Sequence, residues 1–145
     1  MPPKRFTLEE AEALLPYLAP TLYQLQHAKR QHDEVLVKLS TLAARMKSNG
    51  HGIDGELALA RQDAGRTSTQ VNALIEKVQE MGCELKDPES GLVDFRAERE
   101  GREVYLCWKL GEERIRYWHR MDEGFAGRKP LGPADASTPD ASKPN

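Results

Sequence analysis

The sequence predicts an α+β domain, a long antiparallel helical hairpin with a short N-terminal helix, packed against a small three-stranded antiparallel β-meander. Three observations carry this. Residues 6–81 place Leu, Ala, Glu, Gln and Lys at helical spacing, residues 83–119 alternate in the manner of strands, and the helices precede the strands instead of interleaving with them. The expected domain spans residues 1–131, helical over 6–81, a meander over 83–119 and an irregular segment over 120–131.

The first helix is announced by Thr7-Leu8-Glu9-Glu10, the form of a capping box in which the Thr7 hydroxyl and the Glu10 carboxylate satisfy free amides at a helix start. Pro16 removes a backbone donor and its ring clashes with the preceding turn, so this segment is expected to end or kink near Leu15. Pro20 suits the first turn of a second helix. From there Leu18, Leu22, Leu25, Lys29, His32, Leu36, Leu39, Ala43 and Met46 repeat a 4-3 spacing, a heptad stripe with two polar interruptions. Ser48-Asn49-Gly50-His51-Gly52 supplies a turn, after which Leu57, Ala60, Ala64, Thr67, Val71, Leu74, Val78 and Met81 resume the stripe. Folding about Gly50–Gly52 brings Leu39 near Ala64, Leu36 near Thr67 and Met46 near Leu57, large residues against small ones. Arms of roughly 40 Å, at about 1.5 Å per residue, outrun one small sheet, so a second copy of the chain is the expected partner and a homodimer or higher homo-oligomer the expected state. Acids Glu9, Glu10 and Glu12 read as complements to the helix dipole.

The strands give a sharper pattern. Leu92–Arg99 and Arg102–Lys109 flank Glu100-Gly101, a two-residue hairpin turn. Folding there pairs Val93 with Trp108, Phe95 with Leu106 and Ala97 with Val104, which makes one face wholly apolar and thereby fixes the register. A second turn at Gly111-Glu112 is expected to return Glu113–His119 beside this hairpin, with Ile115 next to Trp108, Tyr117 next to Leu106 and His119 next to Val104. The opposite face then carries Asp94, Cys107 and Arg116 in one row, Arg96, Tyr105 and Trp118 in the next, and Glu98, Glu103 and Arg120 in a third. That face reads either as a binding surface or as an ordinary solvated one.

Composition limits the function classes. The chain has 145 residues, a net charge of −2, 39% hydrophobic residues and two cysteines, and no apolar run near the roughly 20 residues that span a bilayer. Membrane association is not expected. Near-neutral charge makes nucleic acid an unlikely partner. The start Met1-Pro2-Pro3-Lys4-Arg5-Phe6 lacks the apolar region of a secretory signal, and two thiols suit a reducing compartment, so the expected location is the cytoplasm. The stretch 132–145 has no large apolar residue and is expected to be disordered.

Chemistry concentrates in Tyr117–Leu131. His119 and Asp122 are acceptable ligands for a divalent metal, the candidate cofactor, with Glu113 or His32 as a third ligand. The competing reading makes His119 a core-edge residue donating to Asp122. Arg128, following Gly124 and Gly127, can recognise an anion through its planar guanidinium, with Arg116, Asp94, Tyr105 and Trp118 on the neighbouring sheet face; alternatively it ties back to Glu123 or Asp94. Cys107 is reactive if Arg116 favours its thiolate and inert if burial dominates. The chain holds no Gly-rich phosphate loop, nucleophile elbow, CxxC pair or HExxH stretch, which weighs against an enzyme without deciding the question.

Gly91-Leu92-Val93-Asp94-Phe95, Gly101–Trp108, Leu110-Gly111-Glu112, Trp118-His119 and Gly124-Phe125-Ala126-Gly127-Arg128, together with Phe6–Ala11 and Leu14-Leu15-Pro16, resemble an uncharacterised bacterial family, domain of unknown function 2203. The resemblance covers nearly the whole chain outside the tail. It implies a small cytosolic fold unit and supplies no reaction or catalytic residue. The leading expectation is a small homo-oligomeric binding or scaffold protein with a metal or anion site between His119 and Arg128. Two alternatives stand beside it, an enzyme using His119 as general base with Asp122 orienting the ring, and a coiled-coil protein that docks a partner on its helical hairpin.

Overall fold

A computed structural model describes residues 3–49 and 52–132. The elements are helix α1 (Leu8–Asn49), helix α2 (Asp54–Glu80), strands β1 (Glu84–Asp87), β2 (Leu92–Arg99), β3 (Arg102–Lys109) and β4 (Tyr117–Arg120), one 3-10 turn (Phe125–Gly127) and strand β5 (Lys129–Pro130). The α+β class holds. The sheet, however, has five antiparallel strands in the order β1-β2-β3-β4-β5, two more than the three that the alternation predicts. The tail beyond Gly132 and the centre of the interhelical turn, residues 50 and 51, lie outside the described residues.

The chain forms two compact units. One comprises residues 1–23 and 77–145, the other residues 24–76. In the first, α1 opens with the capping box: the Glu10 amide donates to the Thr7 hydroxyl at 3.1 Å, and the Thr7 amide donates to the Glu10 carboxylate at 2.9 Å. The helix does not end near Leu15 as a separate short segment; Pro16 and Pro20 lie inside one continuous helix. Each interior proline costs about 3 kcal/mol. Burial of Leu8, Leu15, Leu18 and Leu22 offsets this at about 1.5–3 kcal/mol per side chain. Glu12 has a role beyond the helix dipole, since its carboxylate accepts the buried Ile115 amide at 3.0 Å and ties the helix to the sheet.

The inner face of the sheet is the apolar one. Val93 pairs with Trp108, Phe95 with Leu106 and Ala97 with Val104, the register that alternation demands. Phe6 meets Phe95 edge-on with ring centroids 5.2 Å apart. Glu100 and Gly101 adopt positive φ of 54° and 75°, the two left-handed residues of a tight hairpin turn.

The next strand departs from expectation by one residue. Tyr105 pairs with His119, Leu106 with Trp118 and Cys107 with Tyr117. Gly111-Glu112 is not a two-residue strand connection. The chain runs irregularly from Leu110 to Arg116, held where the Glu112 carboxylate accepts the Lys109 amide at 2.8 Å and the Glu112 carbonyl accepts the Trp108 indole N–H at 3.0 Å. With period-2 alternation, a one-residue shift exchanges faces. Trp118 therefore lies on the inner face, and Tyr117 and His119 lie on the outer face beside Cys107 and Tyr105.

In the second unit, α1 and α2 make a two-helix pair. Leu42, Leu57 and Ala60 are buried together, with Leu39 and Met46 packed against them. Met46 thus reaches the Leu57 cluster as the stripe implies. Thr67, by contrast, meets His32, whose Nδ1 lies 2.7 Å from its hydroxyl, whereas Leu36 is exposed. The Thr67 hydroxyl donates to the Asp63 carbonyl, so His32 is the donor in this pair.

Candidate metal centre

Outer-face residues of strands β2, β3 and β4 converge on one buried cluster. Asp94 and Cys107 are directly opposite in β2 and β3, and His119 lies one pair further along β4, opposite Tyr105. Asp94, Cys107 and His119 are 3%, 0% and 1% exposed. One ligand atom from each lies within 4.8 Å of the others, and among the described residues they are the only such group of metal-binding side chains.

Hydrogen bonding defines the state of this cluster. His119 Nδ1 lies 2.8 Å from the Arg120 carbonyl oxygen, which can only accept, so Nδ1 carries a proton. The Nε2 atom, 3.0 Å from Asp94 Oδ2, then presents a lone pair to a carboxylate unless a second proton or a cation lies between them. Asp94 Oδ1 is buried with no hydrogen-bond partner. Burial pushes the Asp94 carboxyl above its ordinary range, against the opposing pull of His119. Burial, reinforced by the Asp94 charge, pushes the Cys107 thiol up to about 12 despite Arg128 nearby. As a free thiol Cys107 is therefore inert, and Arg116 does not activate it; Arg116 is exposed and Tyr117 occupies the expected position beside Cys107.

The surround is cationic and aromatic. The Tyr105 hydroxyl donates to Glu84 at 2.9 Å, and Tyr105 lies beneath Lys86 and Arg96, whose charged groups are 4.8 and 5.5 Å from its ring centroid. Its ring is tilted against that of His119 at 5.3 Å. Arg128 is clamped between Tyr117 and Phe125, 4.0 and 4.5 Å from their centroids, and bonds both oxygens of Glu112 at 2.9 Å. Neither Glu123 nor Asp94 is its partner; Glu123 pairs with Lys129 at 2.7 Å. Arg128 is thus committed within the fold.

Of the metal ligands expected from sequence, only His119 belongs to the cluster. Asp122 and Glu113 are both exposed, and Asp122 lies in a cleft with Trp118 and Arg120. His32 is engaged by Thr67 in the other unit. Tyr105 and Trp118, expected in one row, project from opposite faces. Asp94 and Cys107 are legible as neighbours, their signal being an acid and a thiol set between the apolar pairs Val93/Phe95 and Leu106/Trp108. The missed step was His119, displaced by the register shift.

Among the described residues no helix is long and apolar enough to cross a membrane. No curated protein and no solved structure matches this chain. The model of one family, described as uncharacterized conserved protein (DUF2203), matches residues 4–131, and the chain belongs to that family.

Proposed function

We propose that this is a metal-binding protein in which Asp94, Cys107 and His119 hold a divalent cation of the zinc class between strands β2, β3 and β4. The observation that supports this most is the orientation of His119. Its Nδ1–H is spent on a backbone carbonyl while Nε2 faces a carboxylate, the arrangement that fixes the tautomer of metal-bound imidazoles. Thiolate, imidazole and carboxylate together suit zinc and its neighbours better than magnesium or calcium, which prefer all-oxygen shells. Asp94 Oδ1, otherwise without a partner, offers a fourth donor atom. Burial of all three side chains favours a structural role over turnover, because a catalytic ion keeps a position open to substrate.

Cobalt substitution tests the assignment. Protein purified without chelator is expected to contain about one metal ion per chain. The cobalt form is expected to show a thiolate-to-metal charge-transfer band that Cys107→Ser abolishes. At a free-metal concentration about 100 times Kd, binding adds about 2.7 kcal/mol of stability. A metal-free native protein whose stability is indifferent to zinc and chelator overturns the proposal, leaving a proton shared by Asp94 and His119.

Self-association through the helical pair is a second reading, supported by exposed Leu36, Val37 and Leu59 on α1 and α2. Sedimentation equilibrium is expected to give a dimer or larger species. A monomer at high micromolar concentration removes this reading.

A further inference from the structure

We infer that Arg128 is a latch over the Asp94–Cys107–His119 cluster, and that the segment carrying it, residues 121–131, opens to admit and release what the cluster binds. The inference rests on the metal-binding reading for its cargo, a divalent cation of the zinc class, and the two fail separately. A site this deeply buried needs an entry path. The inner side of the sheet is filled by Val93, Phe95, Leu106 and Trp108, all buried, so the way in lies on the outer side. There Tyr117 stands directly opposite Cys107, with the Arg128 guanidinium 4.0 Å from its ring centroid. Arg128 Nη2 donates to both Glu112 carboxylate oxygens at 2.9 Å and lies 3.4 Å from the Cys107 carbonyl oxygen. With its side chain 11% exposed, Arg128 closes the cluster on the Cys107 side.

The cover on this side is lightly held. No residue from 121 to 131 is buried, and strand β5 contributes two pairs to the sheet. Segments with few buried apolar contacts open locally at far less cost than global unfolding. Besides Arg128, the segment is tied by Lys129 to Glu123 at 2.7 Å, within itself, and by the Leu131 amide to the Arg116 carbonyl at 2.7 Å. The closed position also carries a penalty, because Arg128 Nε is buried without a hydrogen-bond partner and opening hydrates it. On the Tyr105 side, by contrast, Glu84 cross-links Tyr105, Lys86 and Arg96 at 2.9, 3.0 and 2.8 Å. Asp94 and Cys107 lie in strands that pair over eight residues, so they stay in place while the latch moves.

Thiol labelling of the full, chelator-treated chain with an aromatic disulfide reagent tests the latch, with mass mapping to assign the label to each cysteine. Cys83 is the internal control, since it is buried against the Val78 carbonyl, outside the latch. The variants are Arg128→Ala and Glu112→Gln, the second of which keeps an acceptor for the Lys109 amide. In both, Cys107 is expected to react about tenfold faster than in wild type, or more, and Cys83 at an unchanged rate. With zinc, both variants are expected to take up the ion and lose it to a chelator faster by a similar factor. Their Kd is expected to stay within about twofold of wild type, because a latch closed in both states alters rates and not the equilibrium. Unchanged Cys107 labelling overturns the inference. Equal acceleration at Cys83 and Cys107 does so too, because Arg128 would then be a prop of the whole sheet, as does a weaker Kd with uptake at the wild-type rate. A chain that binds no zinc refutes the metal reading alone, and the labelling then decides the latch.

Discussion

Gly91→Ala is expected to be among the most damaging single-methyl additions to this protein. Gly91 sits in the tight turn between β1 and β2 at a φ of +73°, where its carbonyl accepts the Leu110 amide at 2.9 Å. An alanine there carries two costs. The left-handed backbone conformation costs about 1–2 kcal/mol for a residue with a Cβ. The added carbon would also lie 2.5 Å from Leu110 Cβ and 3.2 Å from Leu110 Cδ2, and overpacking of this kind costs about 1–3 kcal/mol. The sum is about 2–5 kcal/mol. Gly101→Ala separates the two contributions, since Gly101 has nearly the same φ, +75°, and a methyl added there would meet nothing within 4 Å. It is expected to lose only the conformational share, about 1–2 kcal/mol. Urea unfolding followed by far-ultraviolet circular dichroism, at fixed metal concentration, gives both numbers. Because the nearest atom is Leu110 Cβ, Leu110→Ala is not expected to rescue Gly91→Ala, whereas Leu110→Gly is. Equal losses at positions 91 and 101, or rescue by Leu110→Ala, would refute the reasoning.

Three further outcomes follow from the same contacts. Glu12→Ala strands the buried Ile115 amide and is expected to cost about 1–3 kcal/mol in urea unfolding, whereas Glu12→Gln keeps an acceptor and costs less; equal losses would show that the contact is immaterial. Burial alone would raise the Glu84 carboxyl, but hydrogen bonds from Lys86 and Tyr105 and the charges of Lys86 and Arg96 outweigh it and hold the pKa below the ordinary value. Its stabilisation is therefore present above the unfolded carboxylate pKa of about 4.3 and lost as pH falls through the lower folded value, so the stability gap between wild type and Glu84→Gln is expected at pH 6 and to close in stronger acid. Finally, Cys83 and Cys107 are buried and free, with thiols pushed up to about 11 and about 12, so both are expected to resist an aromatic disulfide reagent until the protein is unfolded; rapid labelling of the native state would contradict this.

How much of this was legible in the sequence depends on how strongly each segment's pattern binds its geometry. The Thr7–Glu10 box is local, and eight-residue strands β2 and β3 with a Glu100-Gly101 turn carry enough alternation to fix their register. Strand β4 has four residues, Tyr-Trp-His-Arg, in which three rings suit either face, so the length of the connection after Gly111 alone decides on which face His119 falls. Strands β1, with the sequence Glu-Leu-Lys-Asp, and β5, with only Lys-Pro, are too short and polar to show periodicity; their pairing partners recruit them. Pro16 and Pro20 misled for a different reason, because the local penalty is real and the leucines that outweigh it draw their gain from tertiary burial. The candidate site shared the fate of β4. Asp94 and Cys107 are visible as a pair set between Val93, Phe95, Leu106 and Trp108, while their third member depends on the register of β4.

The short terminal strands also determine how this sheet can meet other chains. On one side β1 offers four residues, three of them charged, with its register broken between Leu85 and Asp87, and beyond it the Phe6 amide occupies the Arg96 carbonyl at 2.7 Å. On the other side β5 offers two residues, one of them a proline with no amide to donate. Neither margin gives an incoming strand a run of free donors and acceptors to continue the ladder. The meander is thereby protected from stacking edge to edge into fibres, and a peptide seeking to lengthen it by backbone pairing finds no purchase. Among the described residues, the sheet thus leaves recognition to the side chains on its faces.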